Sequence, residues 1–181
     1  MKIVRHLDTK KNWAARRPLI ESVRIDSMCE LRRAQKANRT SLGVFPIKEA
    51  TDLQIEASTG EWRPEQEAAL QRTSSQMSLL VEVGKPGRSK LEKIPYTFKL
   101  TYRCHDRYCR THTQTIVDWE IGQAFRSWRR TYGEKQALKH IRSRWLDEIC
   151  SSANNTHIFA GNMHQYPEGF LVLGMYYPKR T

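Results

Sequence analysis

The sequence predicts an α+β fold: a small antiparallel sheet packed on a helical pair, with a zinc-type loop joining the two. Three observations predict it. Tyr96 to Arg103 alternates apolar and polar side chains, the two-residue period of a strand with one buried face. Thr115 to Tyr132 and Glu134 to Ile149 repeat apolar residues at helical spacing. Between strand and helices stands Cys104-His105-Asp106-Arg107-Tyr108-Cys109-Arg110-Thr111-His112, a C-x4-C-x2-H pattern.

Taken in order, residues 1–18 are polar and basic, with Trp13 the one large anchor. Ile20 to Ile25 alternates weakly, as a short strand does. Asp26 or Ser27 can cap a helix over Met28 to Ala37, because a short oxygen side chain satisfies a free helical N–H. Thr40 to Pro46 reads as a turn into a short extended segment, and Leu53 to Ala57 as a strand ended by Ser58-Thr59-Gly60. Pro64 opens a short helix through Gln71, since its missing N–H costs nothing at the first helical position. Residues 73–93, rich in Ser, Gly, Pro and Lys, form the linker. This places a basic N-terminal lobe at 1–90 and an α+β module at 91–181.

In the module, Val117, Ile121, Ala124, Phe125, Trp128 and Tyr132 face inward from the first helix, which Gly133 ends. Leu138, Ile141, Trp145 and Ile149 face inward from the second. His157 to Ala160 and Phe170 to Tyr177 join Tyr96 to Arg103 as the strands of the sheet. Trp119, Trp128 and Trp145 are expected in the core.

No apolar run approaches the ~18 residues of a membrane span, and Met1 to His6 lack an apolar signal core, so a cytoplasmic protein is expected. Four cysteines without a secretory leader point to reduced thiols or metal ligands. Formal net charge is +12, and it is clustered. Residues 1–39 hold 11 basic and 4 acidic side chains, and residues 99–144 again 11 and 4, whereas residues 40–70 hold 2 and 6. Concentrated positive charge favours DNA or RNA through counterion release.

Cys104, Cys109 and His112 supply three donors of the types that zinc prefers. A structural site needs a fourth. Cys150, at the end of the second helix, is the expected one, with His105, His157 and His164 as alternatives. A site with only three protein ligands would instead be catalytic; Asp118 and Glu120 are the acid–base candidates, although i and i+2 point to different sides of a helix. Arg107 and Arg110 in the loop, Arg126, Arg129 and Arg130 on the first helix, and Lys135, Lys139 and Arg142 on the second are the expected phosphate contacts. Tyr108, and further on Tyr166, Tyr176 and Tyr177, can stack on unpaired bases. The phosphate-binding, dinucleotide-binding, serine-hydrolase, zinc-protease and deaminase motifs are missing.

With Leu91 to Tyr96, the C-x4-C-x2-H loop, Asp118-Trp119-Glu120-Ile121-Gly122-Gln123 and Gly161-Asn162-Met163-His164 in view, the chain resembles an uncharacterised prokaryotic family of soluble proteins. The similarity runs from about Thr40 to Pro178 and is strongest from Leu91 onward. It implies that Cys104, Cys109, His112, Asp118, Trp119, Glu120, Asn162 and His164 act together. It also implies that the chain corresponds to the C-terminal part of such a protein, with a partner supplying the N-terminal region. The expected function is nucleic-acid binding on a structural zinc scaffold without chemistry of its own. A metal-dependent nuclease and a protein-interaction subunit are the alternatives.

Overall fold

The computed structural model describes residues 23–59, 61–62, 64–65, 67–68 and 93–180. Helix α1 (Met28–Asn38) is followed by strands β1 (Leu42–Ala57), β2 (Tyr96–Cys104) and β3 (His112–Ile116). Helices α2 (Trp119–Tyr132) and α3 (Glu134–Arg142) come next, and a π-helical segment (Ser143–Ile149) extends α3. Strands β4 (His157–Met163) and β5 (Tyr166–Tyr176) complete the chain.

The sheet differs from the three-stranded antiparallel one that the pattern predicts. Five strands close into a barrel in the order β1-β2-β3-β5-β4. The β1·β4, β2·β3 and β4·β5 pairs are antiparallel, and β3·β5 is parallel, with Ile116 opposite Val172. Closure satisfies the strand edges that an open sheet of three would leave unpaired. The last two residues of β3, Thr115 and Ile116, are ones expected to open the first helix. Gln114 and Ile116 are buried while Thr113 is exposed, which is a two-residue rather than a helical period. The helix therefore starts later, at Trp119, with Asp118 accepting the Glu120 N–H at 2.9 Å as its N-cap.

The described residues up to Gln54, together with those from Phe98 onward, form one compact unit, and the described residues among Ile55–Thr97 form a second. Within the second, the Ser58 N–H donates to the Pro95 carbonyl and Lys93 lies over the Trp62 ring. The boundary expected at 90/91, the linker 73–92 and the segment 1–22 lie outside the described residues. Of the helix expected from Pro64, residues 64–65 and 67–68 are described, and they are helical.

Phe45, Leu100, Tyr102, Ile158 and Val172 fill the barrel. Phe45 and Tyr102 stack with ring centroids 6.3 Å apart. Burying the Tyr102 hydroxyl requires a partner, and Gln114 provides it. The hydroxyl donates to Gln114 Oε1, while Gln114 Nε2 donates to the Phe170 carbonyl at 3.1 Å and toward Met28 Sδ at 3.6 Å. That amide thus links β2, β3, β5 and α1.

Helix α1 begins at Ser27, whose Oγ accepts the Glu30 N–H, and Glu30 returns a carboxylate oxygen to the Asp26 N–H. It buries Met28 and Leu31. Leu31 sits against Gly43, where an added Cβ would lie 2.9 Å from a Leu31 methyl, so a larger residue there would push α1 away. On the other side, Phe125 of α2 meets Phe98 at 6.4 Å. Gly133 joins α2 to α3 at φ 78°, a backbone region that favours glycine.

Several side chains expected in the core are outside it. Val117 and Trp119 are 50% and 66% exposed, and Tyr132 is exposed as well. Val117 directly follows β3, where its N–H donates to the Val172 carbonyl, and its neighbour Ile116 takes the inward place. Trp145 and Ile149 are buried as expected, on the widened π turn. Asn154 and Thr156 donate to the carbonyls of Glu148 and Ile149 at the end of that turn.

Candidate metal centre

Three donors of the site follow from local geometry. β2 ends at Cys104 and β3 opens at His112, so a tight hairpin carries both. Asp106 shapes its tip. Its carboxylate accepts the Tyr108 N–H at 2.9 Å, and its carbonyl accepts the Cys109 N–H at 3.1 Å. This Asx-turn folds Cys109 back beneath the hairpin. The Cys104 N–H then points at Cys109 Sγ, 3.3 Å away.

The fourth donor comes from α1. Cys29, Cys104, Cys109 and His112 bring one ligand atom each to within 4.8 Å of one another. Cys29 Sγ lies 3.7 Å from Cys104 Sγ and 3.3 Å from His112 Nε2. The His112 nitrogen is 3.5 Å from Cys104 Sγ and 3.4 Å from Cys109 Sγ. A tetrahedral ion with bonds of about 2.3 Å to sulfur and about 2.0–2.1 Å to nitrogen sets neighbouring donors about 3.8 Å (S–S) and about 3.6 Å (S–N) apart. The observed separations fall just inside those edges. All four cysteines of the chain are free of disulfides, and this arrangement is compatible with a metal site.

The electrostatics of the bare donors agree. Burial, reinforced by the Cys104 thiol, pushes the Cys29 thiol up to about 12. Burial likewise raises Cys109. Burial opposes ionisation at Cys104 too, but hydrogen bonds from the backbone and from the other thiols outweigh it and hold this thiol below its ordinary range. Three thiolates cannot share this volume without a cation. Burial, then the nearby Arg32, lowers His112 and keeps its imidazole neutral, the form that ligates. The Tyr102 ring packs on His112 at 5.5 Å and fixes its plane.

Cys150 is not in the cluster. It caps the π segment, and burial alone pushes its thiol up to about 12. His105 and His164 are exposed, and His157 Nδ1 lies 2.9 Å from the Asn155 carbonyl. Spacing could not find Cys29, because it lies 75 residues from Cys104 in the chain. Cys29 lies on the basic face of α1 with Arg32, Arg33 and Lys36, beside the buried Met28/Leu31 stripe, and no local pattern marks it as a ligand.

The other expected site residues are dispersed. Asp118 caps α2, and Glu120 is exposed in its first turn. Among the described residues, neither belongs to a group of three or more metal-ligating side chains. Asn162 donates to the Pro167 carbonyl in the β4–β5 turn, beside exposed His164. Arg126 lies over Trp119 and Arg129 over Phe125, at 5.9 and 5.7 Å. Arg142 is a structural clamp, donating to the Leu53 carbonyl at 2.7 Å and to Asp52 at 2.9 Å. Arg107, Arg110, Arg130, Lys135 and Lys139 are exposed.

Residues 24–181 match a family described as a domain of unknown function, DUF8757. The chain belongs to this family. The DUF8757 match takes in the whole barrel and all four donors. No curated protein and no solved structure matches the chain significantly. No helix among the described residues is long and apolar enough to cross a membrane.

Proposed function

We propose that this DUF8757 protein is a nucleic-acid-binding barrel whose fold is fastened by a structural zinc ion. The observation that carries the reading is the closed donor set: three sulfurs and one imidazole nitrogen from the chain itself, all within 4.8 Å of one another. Four protein ligands of these types are the composition of structural zinc sites, whereas catalytic sites keep a position open. Zinc bound here would supply cross-linking of α1 to the β2–β3 hairpin. The chain's own residues do the rest: Asp106 shapes the loop, the Cys104 N–H supports the Cys109 sulfur, and Tyr102 orients His112.

Nucleic acid as the ligand is supported by net charge +12 and its clustering. The barrel adds an argument by analogy. Five-stranded barrels of the OB type bind oligonucleotides on the face of their second and third strands and on the adjoining loops. Fold alone does not establish activity. The nuclease alternative loses its motivation, since the metal donors are complete and Asp118 is occupied in capping. The partner-protein alternative has one feature in its favour: Leu42, Val117, Trp119 and Leu173 are exposed.

Elemental analysis and an anisotropy salt titration test the proposal together. One zinc per chain is expected, with oligonucleotide affinity that falls steeply as salt rises. Folded protein free of zinc, or affinity flat with salt, would overturn the corresponding half.

A further inference from the structure

The same four donors decide which basic surface is presented. Arg32, Arg33 and Lys36 follow Cys29 at i+3, i+4 and i+7, so they share its helical face. Binding Cys29 to the cluster therefore draws that face of α1 against the β2–β3 loop. One further interaction shows the approach: Arg33 Nη2 donates to Asp106 Oδ2 at 2.9 Å. The loop adds Arg107 and Arg110, both exposed, and Tyr108, which is 82% exposed with Arg107 lying 5.5 Å from its ring centre.

The nearby carboxylates are already engaged or few. Asp106 is held by Arg33 and the Tyr108 N–H, and Glu30 by the Asp26 N–H. Glu168, at the start of β5, faces Arg32 and Lys36 across a small cleft. Positive charge thus dominates, and an aromatic face stands in its midst. By contrast α2 and α3 have Arg142 clamped to β1, and Arg126 and Arg129 laid over rings of α2.

We infer that the metal-pinned end of the barrel, formed by Arg32, Lys36, Arg107, Arg110 and Tyr108, is a binding surface for single-stranded nucleic acid. This rests on the nucleic-acid reading above and assigns its contact surface. Lysine and arginine track the phosphates, and Tyr108 stacks on an unpaired base. A duplex keeps its bases stacked on one another and offers Tyr108 no open face.

The test is fluorescence anisotropy with labelled oligo(dT) and oligo(U) of about 15 nucleotides and a duplex of equal length. It uses zinc-loaded protein, with zinc content and circular dichroism confirming that each variant is folded. Arg32→Glu with Lys36→Glu should weaken single-strand binding at least about tenfold and reduce the salt slope by about 1.4, the share of two phosphate contacts. Tyr108→Ala should cost single strands about 5- to 150-fold and leave duplex affinity unchanged. Lys135→Glu with Lys139→Glu, on the competing basic face of α3, should weaken single-strand binding less than the 32/36 pair does. If the 135/139 pair carries the loss while the 32/36 pair does not, the surface is wrong and the nucleic-acid reading survives. An equal loss on duplex and single strand with Tyr108→Ala would overturn the single-strand assignment. No binding of any oligonucleotide at low salt would overturn both.

Discussion

Cys29→Ser removes the one donor that reaches the cluster from outside the hairpin. Its consequence can be scaled from the geometry. Structural zinc contributes about 10–16 kcal/mol of apparent binding free energy through four ligands. An equal share is about 2.5–4 kcal/mol per ligand, and a serine oxygen is a poor replacement for a thiolate. At about 1.4 kcal/mol per decade the variant should bind zinc about 100- to 1,000-fold more weakly. The barrel should survive, because Met28 and Leu31 still bury α1 against it. Each such side chain contributes about 1.5–3 kcal/mol. Competition with a chromophoric chelator reads the affinity, and circular dichroism reads the fold. Cys150→Ser is the control and should match the parent protein, since that thiol lies outside the cluster. If Cys29→Ser keeps the parent affinity, or Cys150→Ser loses it, the four-donor assignment is wrong.

Tyr102→Phe should lower unfolding free energy by about 1–3 kcal/mol in denaturant titration, because it strips the buried Gln114 Oε1 of its donor; no change would mean the amide re-pairs. Arg142→Ala should cost about 1 kcal/mol, the scale of a half-exposed pair that also supports the Leu53 carbonyl. Its oligonucleotide affinity should not change, and a large loss there would return Arg142 to the phosphate contacts. Cys150 sets an alkaline trend. Its folded thiol is raised from about 9 to about 12, so the unfolded chain ionises first. The stability it contributes is fully present below about pH 9 and is lost as pH rises toward 12. Cys150→Ala should flatten thermal stability across that range. At pH 8, half-buried Cys150 should also resist alkylation in the folded protein because its thiol stays protonated, and rapid native labelling would contradict that.

Much of this molecule was readable locally. The period of two in Tyr96 to Arg103, the cap at Ser27, the stop at Gly133 and the trio Cys104, Cys109 and His112 are short-range features. Each follows from rules that act over a few residues, such as side-chain alternation, capping and the reach of one hairpin. The five residues of β3 adjoin a strongly helical run, and a pattern of apolar residues at 115–132 does not say where extended backbone gives way to helix. What tertiary structure alone decided is long-range. Barrel closure needed β1 beside β4 and the parallel β3·β5 pair, which no local period encodes. Arg142 became a clamp because Asp52 and the Leu53 carbonyl were folded against it. Cys29 joined the cluster because α1, packed through buried Met28 and Leu31, brings its sulfur beside Cys104 and His112 of the hairpin. Chain order limits what neighbours can do to one another, and it leaves open which distant segment packing will bring to them.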